Sequence, residues 1–228
     1  MTSSNDRADY PELTDEEYAN FRNVKTTGMG AGALYRSTTP ITSDLNRNKE
    51  ADEALQNAGI RTILNLAETE TVMKEHDGYA SSHYSQRDVI AVNMVVDITS
   101  DDFKASEAKG LAFLAAHEGP YLVHCKEGKD RTGFVCAVLE CLMGASAEEV
   151  AADYMVTYYN FFGVKPGTEQ YDAIRKGNID QILALAFGVP DIYQADLAAC
   201  AEEYLLSIGL DQETIGVLKE KLGKSYGE

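Results

Sequence analysis

The stretch His124-Cys125-Lys126-Glu127-Gly128-Lys129-Asp130-Arg131-Thr132-Gly133 brings a nucleophile and three cations into one short run of chain. Before it, Pro120 to Val123 has the short apolar run of a buried strand. After it, Phe134 to Met143 is an apolar run of helix length closed by Gly144. The stretch therefore reads as a strand-to-helix loop. Such a loop aims successive backbone N–H groups inward as a nest, and the helix N-terminus adds partial positive charge, so anions bind there. A cysteine at the start of the loop shares that field, which favours its thiolate and makes Cys125 a candidate nucleophile. Arg131 offers a planar fork suited to two phosphate oxygens, and Lys126 and Lys129 are further cations on short tethers. The chemistry implied is that of a phosphate ester. The Glu127 side chain reads as solvated, and the phosphate-binding cradle is expected from Lys126, Glu127, Gly128, Lys129, Asp130 and Arg131.

These residues resemble the signature of the cysteine-dependent protein tyrosine phosphatase superfamily, in which Cys and Arg bracket five residues and a Ser or Thr follows. The Lys-Asp-Arg ending is similar to the bacterial atypical branch, which acts on phosphotyrosine, phosphoserine/threonine or phosphoinositides. Three further stretches resemble that branch. Asn20-Phe21-Arg22 with Gly32 to Ser37 is similar to its amino-terminal motif. Gly59 to Leu66 is similar to the strand that follows, and Ala201 to Leu205 with Ile208-Gly209-Leu210 to its carboxy-terminal helix pair. One departure stands out: Asn65-Leu66-Ala67 occupies a place where such proteins often carry Asp-Leu-Arg.

The resemblance implies metal-free, cofactor-free hydrolysis of a phosphate monoester in two steps. Cys125 attacks phosphorus, the loop N–H groups and Arg131 hold the nonbridging oxygens, and water cleaves the phosphocysteine. By resemblance, Thr132 stabilises the departing thiolate. His124 is expected to orient the loop through a buried hydrogen bond. The chain has no Trp, so the Trp-Pro-Asp acid motif of many tyrosine phosphatases is absent. Asp130 is then the first candidate for the general acid, opposed by the pull of Lys129 and Arg131 toward its charged form. Asp97 is the alternative, with Asp101 and Asp102 behind it, against the plainer reading that Asp97 caps a turn and Asp101 a helix. Paired lysines in a loop of the form His-Cys-Lys-x-Gly-Lys-x-Arg resemble those of inositol phospholipid phosphatases, where extra cations receive ring phosphates. The expected partner is thus a phosphorylated protein or an inositol phosphate or phosphoinositide, with the two lysines tilting the expectation toward multiply phosphorylated ligands unless they merely offset Glu127, Asp130 and the surrounding acidity. From another class, a catalytically weak phosphate-ester binding module uses the same nest. A rhodanese or arsenate reductase also has a cysteine loop, but the low-molecular-weight phosphatase and arsenate reductase pattern puts it near the amino terminus.

Composition narrows the classes. A formal charge of −17 and a pI near 4.6 argue against a nucleic-acid partner and discourage docking on anionic membranes. The 4 cysteines lack paired spacing, which suggests a reducing compartment, with cytoplasm as the default; a removed leader would leave no trace in this sequence. No apolar run approaches the ~20 residues of a membrane span, so integral membrane association is not expected. The 4 His residues show no His-Glu-x-x-His or Cys-x-x-Cys pattern, so no metal site is expected.

The elements that position the loop follow from periodicity. The 228 residues, 44% hydrophobic, fit a single domain over 1–228, with 1–12 flexible. Thr14 to Glu17 reads as a capping box opening a short helix, and Ala33 to Arg36 as a strand whose Arg36 and Ser37 either end it or reach a phosphate. Ser43 to Asn57 reads as a helix. Ile60 to Leu66 is a strand with Ile60, Thr62, Leu64 and Leu66 on one face, and Val89 to Val96 is the next strand. Asp101 to His117 is helical. Ser146 to Glu149 is a second capping box, and a last helix begins at Asp211. Asn160 to Gly167 reads as a turn whose rings cap the core, or as a wall of the substrate cleft. The fold class is α/β: a central, mostly parallel, phosphatase-like sheet flanked by helices, with a helical C-terminal part.

Overall fold

The computed structural model describes residues 1–226. Five short strands form the sheet: β1 (Arg22–Asn23), β2 (Leu34–Ser37), β3 (Thr62–Asn65), β4 (Asp88–Ala91) and β5 (Tyr121–His124). Their order is β1-β2-β5-β3-β4, with β1 antiparallel to β2 and every other pair parallel. The last strand in sequence is therefore the middle strand in space. His124, at its carboxyl end, lies in register with Ser37 on one side and Asn65 on the other. Ligands of open α/β sheets bind outside the carboxyl ends of the strands, where the strand order switches, and the 125–129 loop leaves the sheet at that point. The mostly parallel α/β architecture expected from the sequence is present.

Both faces of the sheet are covered, as parallel strands require. Ile63 and Leu122 face a smaller core under α2 (Asn48–Asn57), which also buries Tyr84, Leu55 and Met73 of α3 (Glu70–Glu75). Leu64, Tyr121 and Val123 face the larger core built by α4 (Asp101–Ala116), α5 (Asp130–Leu142), α6 (Ala147–Phe162), α9 (Leu197–Ser207) and α10 (Gln212–Gly223). Ile60 lies with the smaller core, opposite Leu64, because it precedes the strand and packs under α2. Every residue of α5 from Thr132 to Leu142 is buried, so the helix that carries the active-loop arginine is held from all sides. Between α6 and α9 run α7 (Glu169–Arg175), a π-helical stretch over Lys176–Asp180, and α8 (Gln181–Phe187). Among the described residues no helix is long and apolar enough to cross a membrane.

Both capping boxes form, at Thr14/Glu17 before α1 (Asp15–Tyr18) and at Ser146/Glu149 before α6. The helix expected over Ser43 to Asn57 is split, because Asn46 turns left-handed (φ 51°) after a short 3-10 turn and α2 starts only at Asn48. The strand expected through Val96 stops at Ala91, where Asn93 (φ 45°) turns the chain. In the amino-terminal segment, Tyr10 is buried against Tyr18, and its hydroxyl donates to the Phe161 carbonyl. Phe161 itself lies under the Arg47 guanidinium, so the Asn160–Gly167 aromatics split: Phe161 caps the core, while Phe162 faces Lys129.

One buried group stands apart from the site. Glu107 of α4 is fully buried, accepts one hydrogen bond from Tyr204 (2.6 Å), and leaves its other oxygen without a partner. Burial pushes its pKa from 4.5 up to about 8. At low pH the folded and unfolded chains both carry the proton and this group costs nothing. Between pH 4.5 and 8 the unfolded chain ionises while the folded one does not, which removes stability as pH rises, about 3 kcal/mol by pH 7. Glu107→Gln is expected to raise the thermal midpoint at pH 7 by several degrees and leave it unchanged at pH 4 in melts followed by circular dichroism. An equal shift at both pH values would show that Glu107 is not the source.

Candidate active site

Four consecutive carbonyls of the loop are each taken by a donor from the body of the protein. The Cys125 carbonyl faces His124 Nδ1 (3.3 Å), and the Lys126 carbonyl accepts from the Thr39 N–H (3.1 Å). The Glu127 carbonyl accepts from Asn20 Nδ2 (3.2 Å), and the Gly128 carbonyl from Arg36 Nη2 (3.0 Å) and Asn20 Nδ2 (3.4 Å). In a trans peptide the N–H points opposite to the C=O. Drawing the carbonyls of 125–128 into the body therefore turns the N–H groups of 126–129 the other way. The first intrahelical donor of α5 is later still, with Gly133 N–H reaching the Lys129 carbonyl. The seven N–H groups of residues 126–132 thus have no acceptor among the described residues, and no side chain caps the helix. Such an arrangement can cradle an anion, with the α5 dipole behind it.

The sequence makes this turn possible at Gly128, whose φ of 69° is left-handed and whose missing Cβ would stand 2.1 Å from the Ser37 carbonyl oxygen. Asn20, itself at φ 51°, is held by Thr157, Asn160 and Arg22. Arg36 is fully buried and pairs with Asp153 at 2.6 Å, while Arg22 grips the other oxygen of Asp153 at 2.9 Å. Burial opposes the charge on Asp153, but the two guanidiniums outweigh it and hold the carboxyl below its usual range. Arg36 and Ser37 therefore do not reach toward a ligand. Arg36 sits under the loop, and the Ser37 hydroxyl is spent on the Thr38 carbonyl.

Cys125 opens the loop and is buried. Thr132, one turn into α5, is also buried, and its hydroxyl has no partner. His124 is fully buried between Tyr84 and the Cys125 carbonyl, and burial, with Arg131 adding to it, pushes its pKa down to about 4. It is neutral at physiological pH. Arg131 spends only Nη1 on the scaffold, donating to the carbonyls of Leu66 (3.0 Å) and Met94 (3.1 Å) and weakly to Ala67 (3.5 Å). Its Nε and Nη2 donate to nothing among the described residues, leaving one edge of the fork available. The Asn65-Leu66-Ala67 segment thus serves through its backbone, and Asn65 Oδ1 closes its own turn by accepting from Ala67 N–H.

The remaining charged residues divide. Lys126 turns to Asp44 (2.8 Å), both largely exposed, and Lys129 pairs with Glu127 (2.7 Å), so Glu127 is a partner and not simply solvated. The Asp130 side chain keeps 55% of its surface accessible. The loop and the Tyr154 and Tyr158 face of α6 nonetheless thin out its solvation. That desolvation raises its pKa; Lys129 opposes it, Glu127 reinforces it, and Arg131 opposes it. The net direction is opposite to that expected from the loop cations alone. Asp97 is exposed and makes an Asx turn, accepting from Thr99 N–H (3.0 Å) and Thr99 Oγ1 (2.7 Å), and those bonds lower its pKa. Ser100 caps α4, with Asp101 and Asp102 in the first turn. Among the described residues no three His, Cys, Asp or Glu converge as a metal site.

A model of the tyrosine phosphatase family matches residues 16–224, which include the loop and each carbonyl donor named above. The chain belongs to the tyrosine phosphatase family. A tyrosine-protein phosphatase from Nostoc commune is 30% identical over 122 residues, covering 49% of this chain and 42% of that protein's own length. The chain also resembles the core catalytic domain of the PP-IP phosphatase SIW14 from S. cerevisiae, solved with citrate. That match has 18% identity and a TM-score of 0.42, over 73% of this chain and 90% of that one.

Tyr84, Thr39 and Asp153 were not legible as members of the site. Only Asp153 carries a sequence signal, a lone carboxylate within the mostly apolar run from Val150 to Phe162. Gly128→Ala should push the loop off the Ser37 carbonyl and misdirect the cradle. Tungstate affinity measured by titration calorimetry is expected to fall by at least about tenfold, and unchanged affinity would show that the loop tolerates the displacement.

Proposed function

We propose that the protein hydrolyses phosphate monoesters with Cys125 as nucleophile. The observation that carries this reading is the run of seven unpartnered N–H groups that starts beside Cys125 and ends beside the free edge of Arg131. The cradle and the Arg131 Nε and Nη2 donors bind the nonbridging oxygens, whose charge they stabilise as phosphorus is attacked. The Cys125 sulfur forms a bond to phosphorus while the ester oxygen leaves. Asp130 gives that oxygen its proton, and its raised pKa keeps the acid form populated nearer to neutral pH. The resulting carboxylate then takes a proton from the water that attacks the phosphocysteine, and the thiolate departs toward the unpartnered Thr132 hydroxyl. Asp97 is the weaker candidate for the acid, because its hydrogen bonds favour the charged form.

The substrate reading favoured here is a phosphorylated side chain of a protein, phosphotyrosine first. A single phosphate fills the cradle, and both loop lysines already face carboxylates. A second reading, a multiply phosphorylated inositol ligand, draws support from Lys126. Its exposed pair with Asp44 is worth at most about 1 kcal/mol, so an incoming phosphate can displace the carboxylate. The two readings separate in Lys126→Ala, which should lower turnover of inositol polyphosphate relative to a phosphotyrosine peptide only if the second is right.

Cys125→Ser is expected to lose at least 1000-fold or so in kcat while still binding tungstate, since the hydroxyl is a poor nucleophile in an unchanged cradle. Retention of activity within about tenfold of wild type would exclude the nucleophile assignment. Asp130→Asn should lose most activity on alkyl and phenyl phosphates and much less on p-nitrophenyl phosphate. Absence of that bias transfers the role of acid to Asp97.

A further inference from the structure

The first of the four carbonyl captures, that of Cys125 by His124, depends in turn on Tyr84. The Cys125 carbonyl can only accept, so the His124 nitrogen facing it, Nδ1, must carry the hydrogen. Because His124 is neutral, its Nε2 is then bare and needs a donor. The group facing Nε2 at 2.8 Å is the Tyr84 hydroxyl. Among the described residues the phenol's single hydrogen has one other acceptor within hydrogen-bond distance, the Met73 sulfur at 3.8 Å, which is weaker than an imidazole nitrogen. The chain of donors therefore runs one way only, from Tyr84 O–H to Nε2 and from Nδ1–H to the Cys125 carbonyl.

Tyr84 is itself fixed. It is fully buried, and the ring meets the imidazole edge-on, with centroids 5.5 Å apart. Its backbone is pinned to α2 by Asp52, whose two oxygens accept from the N–H groups of His83 and Tyr84 at 2.9 Å each. A hydroxyl anchored in this way selects one tautomer of a neutral histidine. The other tautomer would set a bare Nδ1 against the Cys125 carbonyl, two acceptors facing each other in a buried place, and the carbonyl would turn away. The Lys126 N–H, on the opposite side of the same peptide, would leave the cradle with it.

We propose that Tyr84 is a positioning residue for the candidate nucleophile: by donating to His124 it selects the Nδ1–H tautomer that holds the Cys125 carbonyl in the body of the protein and the Lys126 N–H in the cradle. Its consequence for turnover rests on the reading of the protein as a Cys125 phosphatase, whereas its consequence for the tautomer does not.

The test is 15N NMR of histidine-labelled protein at pH 7, combined with Tyr84→Phe, which removes one oxygen and keeps the ring. Wild type is expected to show His124 as the Nδ1–H tautomer, and the Nε2–H form would overturn the proposal whatever the variant does. In Tyr84→Phe, with folding verified by circular dichroism, the His124 signals should move toward a tautomer mixture. Tungstate should bind about tenfold more weakly, and kcat on p-nitrophenyl phosphate should fall by a similar factor. Tyr79→Phe, which removes the hydroxyl of a ring that only packs edge-on against Tyr84, should leave all three readouts unchanged. A folded Tyr84→Phe with the wild-type tautomer and tungstate affinity would overturn the proposal. A wild type that binds tungstate, shows the Nδ1–H tautomer and turns over no phosphate ester would instead remove the phosphatase reading and leave the positioning role standing.

Discussion

The site depends on where four backbone carbonyls go. A run of seven N–H groups with no acceptor is an unfavourable way to fold a loop, because each such group would be better paired. The loop adopts it only because the carbonyls on the reverse side of the same peptides are captured, at 125 by His124, at 126 by Thr39, at 127 by Asn20 and at 128 by Arg36. Those donors sit on β5, on the turns flanking β1 and β2, and on β2 itself, so the cradle cannot form before the sheet does. Other features follow from this requirement. A buried guanidinium at Arg36 is tolerable only with a counter-charge, which puts Asp153 on α6 beneath the loop. Asp153 in turn accommodates Arg22, and Arg22 orients Asn20, so the supports of the third and fourth carbonyls are one network.

Electrostatics operates at short range here. A chain of −17 charge repels a phosphate ester at a distance, but at physiological salt that repulsion is screened beyond about 8 Å. Inside that length, an anion arriving at the proposed site would meet the amino-terminal end of α5, the unpartnered N–H groups and the free edge of Arg131. The nearest carboxylates are neutralised or tempered: Glu127 by Lys129, Asp44 by Lys126, and Asp130 by desolvation. An acidic protein can thus present a local anion site without a basic surface.

The loop was legible in the sequence because it is local. Nucleophile, cations, left-handed glycine and helix start lie within ten consecutive residues, and their spacing alone implies the nest. The α/β class, the middle strand's role and both capping boxes were legible for the same reason. The holders of the loop were not, since Asn20 and Arg36 reach it from 107 and 92 residues earlier in the chain, Asp153 acts on it only through Arg36 and Arg22, and an isolated Tyr84 in a polar stretch carries no pattern at all. Asp130 illustrates a subtler limit. Its sequence neighbours Lys129 and Arg131 both favour the carboxylate, and only the enclosure made by the folded loop and α6 reverses the direction. The strand expected through Val96 ends early for a related reason, because the chain must leave the sheet after Ala91 to bring the Met94 carbonyl to Arg131.

Arg131 divides its guanidinium between scaffold and ligand, and the division has a consequence for how the site is built. Nη1 ties together the carbonyls of Leu66, after β3, and Met94, after β4. The second of these segments continues into the exposed Val95, Val96 and Asp97. The planar fork is rigid, so the edge made of Nε and Nη2 is oriented by the same two carbonyls that hold Nη1. A lysine in this place would keep the charge but lose that coupling, because its ammonium rotates freely and a hydrogen bond on one side does not aim the others. Any anion gripped by the free edge is therefore referenced to the ends of β3 and β4, while the cradle is referenced through His124, Thr39, Asn20 and Arg36 to β5, β1 and β2. The proposed phosphate position lies where the two halves of the sheet converge on one loop, which is a physical reason for β5 to be the central strand.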